Sequence, residues 1–124
     1  ELALPGAGNR ADAIGAGTYA RDGVCAVSGT GQGEFFIRHV VGHEIASRIA
    51  YRGETLEMAA NGVIREDLKS YGIGAGAVAV DGAGNVCAPY NTAGMFRGWI
   101  ASDGALYVAS HDEVFCVETL EASV

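Results

Sequence analysis

Two histidines lie at a spacing that can hold a metal ion. His39 and His43 are four residues apart in a segment with helical periodicity, so their side chains share one helix face. Glu44 follows them, but the order H-x-x-x-H-E fits neither H-E-x-x-H nor H-x-x-E-H, and no third ligand can be identified. We therefore predict an ordinary helix-face pair and no metal site.

The three cysteines, Cys25, Cys87 and Cys116, are candidate ligands and nucleophiles. Their number is odd, no pair has C-x-x-C spacing, and each lies between apolar neighbours, which argues against a disulfide framework and against a zinc site. We interpret them as small buried hydrophobic residues in a reducing compartment. The run His111-Asp112-Glu113 resembles an acid–base cluster, but it lies between two predicted edge strands and is predicted to be a solvated turn.

A glycine-rich corner at residues 29–33 is the strongest candidate, within the stretch AVSGTGQGEFFIR. A buried strand leads into the corner and an apolar helix leaves it, so the free N–H groups at the helix start can stabilise negative charge. The glycines let a ligand approach the main chain, and Thr30 adds a hydroxyl that can donate to the same oxygen. Taken by itself, the pattern also fits a threonine that caps the helix.

The elements around these residues can be predicted coarsely. A turn that feeds a strand is predicted at 14–20 and a short buried strand at 24–29. Helical periodicity predicts one helix from Glu34 to about Tyr51, ended by Gly53, and another from about Thr55, ended by Gly72. The remaining strands are predicted at 75–81, 85–91, 94–101, 105–110 and 114–120, the first two forming a hairpin across 82–84. The Gly-Ala-Gly stretches 74–76 and 82–84 are therefore turn glycines and not phosphate loops.

Element order and composition limit the fold and the function. A strand, two adjacent helices and then antiparallel strands predict an α+β fold, with 1–124 as a single domain and 1–13 as a loop. The formal charge of −7 argues against nucleic-acid binding. No apolar run approaches the ~20 residues that cross a membrane, and no signal peptide is visible. We predict a cytoplasmic protein without membrane or nucleic-acid partners.

Four stretches in register resemble the β subunit of plant-type L-asparaginases and isoaspartyl aminopeptidases, N-terminal-nucleophile hydrolases related to glycosylasparaginase. They are IGAGTYA, AVSGTGQGEFFIR, GAGAVAVDGAGNV and PYNTAGMFRG, from Ile14 to Gly98. The resemblance implies an αββα sandwich, to which this chain supplies part. It also implies autoproteolysis of a precursor, which frees a threonine whose hydroxyl attacks an amide while its own amino group acts as base. It implies no cofactor.

The resemblance assigns roles to particular residues. Thr30 and Gly31 match the threonine and glycine of the family's oxyanion hole, and Gly31 and Gly33 match positions whose main chain lines the substrate pocket. Asn91 and Thr92 match the FNT-x-GM signature, which supports the site without adding chemistry. The implied activity is hydrolysis of L-asparagine or β-aspartyl (isoaspartyl) peptides. The alternative is a non-catalytic relative that binds a small acidic ligand on the same scaffold.

The sequence departs from the family pattern in two places. The nucleophilic threonine is expected outside these 124 residues, on a segment that precedes the region matched here. Where the family reads G-R-V-G-D-S-P, with an arginine for the substrate carboxylate and an aspartate for its amino group, this chain reads PGAGNRADAIG. An ungapped match puts Ala7 and Arg10 at those places, and a small shift puts Arg10 and Asp12 near them.

The resemblance also implies partners. Part of a sandwich leaves a sheet face and an edge uncovered, and such surfaces favour association. We expect an α subunit from the same precursor, a dimer of the resulting αβ pairs, and a small amino acid or dipeptide as substrate.

Overall fold

The structure is a computed structural model that describes residues 13–119. Both helices and antiparallel strands are present, which confirms the α+β prediction. The contacts divide the chain into two compact units, Glu1–Asn91 and Thr92–Val124. The assignment of 1–124 to a single domain stays a prediction. Within the described part of the chain, no helix has the length and apolar character needed to cross a membrane.

A four-stranded antiparallel sheet organises the first unit. Its strands are adjacent in sequence order: β1 (Thr18–Arg21), β2 (Cys25–Gly31), β3 (Ala75–Asp81) and β4 (Val86–Cys87). The predicted hairpin across 82–84 is confirmed as the β3–β4 pair, although β4 is shorter than expected. The predicted strand at 24–29 is also confirmed, and it continues two residues further, to Gly31.

One face of this sheet packs against the helices. Along β2, Cys25 and Val27 are buried while Ala26 and Ser28 are exposed, the alternation expected of a strand with one covered face. On β3 the residues of the covered face are all alanines, and they are buried: Ala75, Ala77 and Ala79. Their small side chains let the helices approach the sheet closely.

The helical layer is α1 (Gly33–His39), α2 (Val41–Arg52), α3 (Leu56–Asn61) and α4 (Leu68–Ser70), with a π-helical segment, Gly62–Asp67, between the last two. The prediction of one continuous helix from Glu34 to Tyr51 is wrong at a single residue. Val40 has φ 46° and ψ 51°, a left-handed conformation that is unusual for a β-branched side chain. It ends α1 and begins α2.

The predicted ends of the other helices agree with the structure. Gly53 closes α2 with φ 67°, and its N–H donates to the Arg48 carbonyl. The side chain of Thr55 caps α3 by accepting a hydrogen bond from the Met58 N–H at 3.2 Å. Gly72 follows α4, also with positive φ.

An ion pair connects α2 to the π-helical segment. Arg48 donates to Glu44 at 3.1 Å and also to Asp67, and its side chain is only 15% exposed. Burial acts to lower the pKa of Arg48, but the hydrogen bond to Glu44 and the charges of Asp67, Glu44 and Glu54 outweigh it and raise that pKa. The sequence pattern did not predict this pairing.

The core of the first unit lies between the sheet and the helices. Its largest fully buried side chains are Phe36, Val41, Ile45, Val63, Ile64 and Leu68. Phe36 lies directly against β2: a Cβ placed at Gly29 would be 2.2 Å from Cε1 of its ring. Gly29 is therefore needed for helix packing, and α1 is held tightly against the strand that precedes it.

The second unit contains a three-stranded antiparallel sheet. Its strands are β5 (Arg97–Ile100), β6 (Ala105–Ala109) and β7 (Val114–Thr119), close to the predicted bounds. Trp99 stacks on Tyr107 across β5 and β6 with ring centroids 5.5 Å apart. Ile100 and Phe115 are more than half exposed, at 57% and 56%. Among the described residues of this sheet, the buried apolar side chains are Ala105 and Ala109.

Candidate functional site

The glycine-rich corner lies where β2 ends and α1 begins, as predicted. Thr30 and Gly31 are the last residues of β2, and Gly33 is the buried first residue of α1. Gln32 occupies the helix-capping position, and its side chain makes no capping hydrogen bond. Because Thr30 belongs to the strand, the alternative interpretation of this residue as the helix cap is wrong.

The side chain of Thr30 lies on the face of the sheet that the helices leave uncovered. Side chains alternate along a strand, so Thr30 shares a face with the exposed residues Ala26 and Ser28. Thr30 is itself exposed, and its partner across β3 is Gly76. The neighbouring strand therefore presents only backbone beside the Thr30 hydroxyl, which leaves room for a ligand.

Gly31 adopts a conformation that requires glycine. Its φ is 132°, and a Cβ there would lie 2.6 Å from the Gly74 carbonyl oxygen and 3.1 Å from the Ala75 Cα. The corner thus rests directly on the residues that lead into β3.

The backbone N–H of Gly31 points past the end of β1. N–H groups alternate in direction along a strand, and the Gly29 N–H donates to the Gly17 carbonyl, on the β1 side, at 2.6 Å. The Gly31 N–H faces the same side, beyond Ser28, the last residue of β2 that pairs with β1. The corner therefore presents two hydrogen-bond donors from successive residues, the Thr30 hydroxyl and the Gly31 N–H.

The helix that follows the corner is short. α1 has 7 residues because the left-handed Val40 ends it. A helix of this length has a small dipole. Because the sequence predicts a helix that continues to about Tyr51, it overstates the dipole at this corner.

Arg10 and Asp12, the predicted substrate-binding residues, lie outside the described residues, as does nearly all of the predicted loop 1–13. Their roles stay predictions.

The two histidines are separated by the helix break and contact different aromatic rings. His39, at the end of α1, stacks on Tyr71 with ring centroids 5.0 Å apart. His43, on α2, contacts Tyr19 edge-on at 5.5 Å. Among residues 13–119, no group of three or more His, Cys, Asp or Glu side chains is placed to hold a metal ion.

The cysteines differ from one another in burial. Cys25 is buried, and burial together with the charge of Asp81 raises the pKa of its thiol. Cys87 is half-buried, and burial again raises its pKa, with Glu57 adding to the effect. Burial therefore favours the protonated form of both thiols. Cys116 is exposed on β7, so the prediction that all three are buried is wrong for this one.

The other stretches with possible chemistry lie in turns or at a strand start. The second Gly-Ala-Gly stretch, 82–84, forms the turn between β3 and β4, whereas in the first, 74–76, Gly74 precedes β3 and the other two residues begin it. His111, Asp112 and Glu113 are exposed between β6 and β7.

A comparison with protein families identifies the class. The sequence model of the Asparaginase_2 family, described as asparaginase, matches residues 5–109. The chain belongs to this family.

Individual relatives agree with that assignment. The isoaspartyl peptidase of Escherichia coli K12 is 43% identical over 96 residues, which cover 77% of this chain and 30% of that protein. The isoaspartyl peptidase of Salmonella typhimurium is also 43% identical, over 77% of this chain and 31% of the relative. In Arabidopsis thaliana, the protein named "Probable isoaspartyl peptidase/L-asparaginase 2" is 42% identical over 77% of this chain and 29% of its own length. The chain thus spans under a third of the length of these relatives.

Proposed function

We propose that this chain is part of an amidohydrolase that cleaves L-asparagine or β-aspartyl peptides, with Thr30 and Gly31 forming its oxyanion hole. The family match and the names of the relatives support the reaction class. The observation that carries the proposal is the corner itself. It places an exposed hydroxyl next to a glycine N–H that points past the end of a strand.

The chemistry follows from where negative charge develops. When a nucleophile adds to an amide carbon, the carbonyl oxygen becomes an oxyanion, and donors held in place beforehand lower the energy of that state. The Thr30 hydroxyl and the Gly31 N–H are suited to donate to this oxygen. Gly33 follows at the start of α1, where a main chain without side chains leaves room for the aspartyl end of the substrate.

The remaining parts of the machinery belong to segments that the structure does not describe. We propose that the nucleophile is an N-terminal threonine freed by autoproteolysis, outside these 124 residues, whose amino group acts as its base. Arg10 is the proposed partner of the substrate's α-carboxylate, and Asp12 is the proposed partner of its α-amino group. An arginine suits this role because its guanidinium binds a carboxylate with two parallel hydrogen bonds.

The exposed face of the four-stranded sheet supports the proposed αββα sandwich. Val78, Val80 and Val86 are 43%, 44% and 36% exposed, on the side of the sheet that the helices do not cover. A row of valines on a strand face is typical of a surface that packs against a second sheet. We propose that the α subunit of the same precursor supplies that sheet, and that two αβ pairs form a dimer.

Substitution of Thr30 tests the proposal. In the assembled enzyme, Thr30→Ala should lower kcat by about 10²- to 10³-fold, the usual loss for one oxyanion donor. Its melting temperature should change little, because the substitution removes one hydroxyl and leaves the β2–β3 pairing intact. L-Asparagine and a β-aspartyl dipeptide are the substrates, and ammonia or amine release is measured.

Ser28→Ala is the matched control, since it removes a hydroxyl from the same face of the same strand. It should leave kcat within about twofold, because Ser28 pairs with β1 before the corner begins and lies outside the proposed oxyanion hole. An unchanged rate in Thr30→Ala would remove the role assigned to this hydroxyl. If the assembled protein turns over neither substrate but binds aspartate in calorimetry, the non-catalytic alternative is correct.

A further inference from the structure

Asn91 uses its whole side-chain amide to hold three separate backbone segments. Its Oδ1 accepts a hydrogen bond from the Ala75 N–H at 2.8 Å. Its Nδ2 donates to the Ile64 carbonyl at 2.7 Å and to the Ile73 carbonyl at 2.9 Å. These partners fix the orientation of the amide. The two carbonyl oxygens must face the amide nitrogen, which can donate two hydrogen bonds, and the Ala75 N–H must face the amide oxygen, which accepts.

The segments it joins have different positions in the fold. Ile64 is fully buried in the π-helical segment, Ile73 lies in the connection after α4, and Ala75 is the first residue of β3. The backbone N–H of Asn91 adds a further bond, to the Ala75 carbonyl at 3.0 Å. Both backbone polar groups of Ala75 are thus bound by this one asparagine, which fixes the start of β3 against the helical layer.

Ala75 is also the support of the corner. In the β2–β3 register, Gly31 lies opposite Ala75 and Thr30 lies opposite Gly76. The contacts at Gly31 are so close that a Cβ there would meet Gly74 and Ala75 at 2.6 and 3.1 Å. A displacement of the Gly74–Ala75 backbone must therefore displace Gly31 as well, since there is no free space between them to absorb it.

We infer that Asn91 is a positioning residue for the oxyanion hole, acting through Ala75 on Gly31 and Thr30. The inference rests on the function proposed above. Donor placement matters to within fractions of an ångström, and a misplacement of about 1 Å costs about 100-fold in rate. Three neutral hydrogen bonds from a part-buried amide are a means of holding the strand start to that tolerance.

The kinetic test uses the assembled enzyme. Asn91→Ala should lower kcat by about 10- to 100-fold and change KM by less than about threefold, because the oxyanion forms only in the transition state. Asn85→Ala, which removes an asparagine whose amide donates to Asp81 in the β3–β4 turn, is the matched control and should keep the parent rate.

A double-mutant cycle separates positioning from general destabilisation. Once Thr30→Ala has removed one donor, adding Asn91→Ala should cost less than it costs in the parent enzyme, since only the Gly31 N–H is left for Asn91 to position. Losses that multiply in full would show that Asn91 does not act through Thr30 and would overturn the inference. If Asn91→Ala does not assemble, Asn91→Asp, which has the same shape and keeps an acceptor for the Ala75 N–H, replaces it in the same cycle.

Amide hydrogen exchange keeps the inference testable if the parent enzyme hydrolyses neither substrate, in which case the proposed function fails by itself. Asn91→Ala should speed exchange at Thr30 and Gly76 by at least about tenfold, and leave exchange at the Cys25–Asp81 end of the same strand pair unchanged. Asn85→Ala should leave exchange at Thr30 and Gly76 at the parent rate. Unchanged exchange at these two residues in Asn91→Ala would show that the asparagine does not hold the corner.

Discussion

The corner at 29–33 and the turn at 82–84 look alike in the sequence, since glycine alternates with other residues in both. In the structure their glycines meet opposite surroundings. A Cβ at Gly31 would lie 2.6 Å from a backbone oxygen, and one at Gly29 would be 2.2 Å from the Phe36 ring. A Cβ at Gly84 would have no atom within 4 Å, and one at Gly82 would meet its neighbours at an ordinary 3.6 Å.

The difference shows what each set of glycines does. At 82–84 glycine allows the backbone conformation of a tight turn, and no close contact requires it there. At 29–33 glycine lets the helical layer and the neighbouring strand approach the end of β2 closely, with the Phe36 ring against Gly29 and the Gly74–Ala75 backbone against Gly31. We therefore treat a glycine-rich motif as a candidate site when other atoms pack closely around its glycines, because this packing fixes the position of their backbone N–H groups.

Gly31→Ala should have the largest effect. The positive φ and the contact with the Gly74 carbonyl together should lower the free energy of unfolding by about 3 kcal/mol or more. Activity of any enzyme that assembles should fall with it. Urea denaturation of the assembled protein measures the loss. A cost no greater than that of Gly84→Ala would contradict the distinction between enclosed and open glycines.

Gly84→Ala should have an intermediate effect. Its φ of 86° disfavours any side chain, at a cost of about 1–2 kcal/mol, but there is no steric contact to add to it. Gly82→Ala is the matched control in the same turn and should change the free energy of unfolding by less than about 0.5 kcal/mol. Denaturation midpoints of the two variants give the comparison, and equal losses would mean that backbone conformation does not decide the cost in this turn.

Asp81→Asn should have the smallest effect, and one that depends on pH. The Asn85 side chain, together with backbone N–H groups of the turn, donates to the Asp81 carboxylate and lowers its pKa. The folded state therefore holds this proton less tightly than the unfolded state. The resulting stability is fully present above the unfolded pKa of about 3.9 and is lost as pH falls through the lower folded pKa.

Hydrogen exchange at Ala83 and Asn85, measured at about pH 6 and about pH 3, reports this stability. In the parent protein the turn should lose protection at the lower pH relative to the rest of β3. In Asp81→Asn that relative loss should be smaller. An identical pH response in the two proteins would show that the carboxylate does not support the turn.

Local patterns predicted the parts of the fold that depend on local chemistry. Gly53 and Gly72 end helices because glycine adopts positive φ easily, and Thr55 caps α3 because its hydroxyl can accept from the first turn. The position of the corner between a strand and a helix was also predictable, since a short apolar run ends there in glycines and apolar residues with helical spacing follow.

The features that the sequence did not predict depend on contacts that are distant along the chain. Val40 was assigned to a helix by its spacing, and nothing in a valine indicates a left-handed conformation. Arg48 meets Asp67 from 19 residues away, and Asn91 meets Ile64 from 27 residues away. No periodicity reports such pairs, so the support of the candidate site was visible only in three dimensions.

The boundary between the two compact units falls immediately after Asn91. A coding region trimmed one codon earlier would still encode every helix and strand of the first unit. It would nevertheless lack the amide that ties Ile64, Ile73 and Ala75 together. Fragments made for expression, or halves made for a split-protein reporter, should therefore extend beyond Asn91. This holds even though β4, the last strand of the first unit, ends at Cys87.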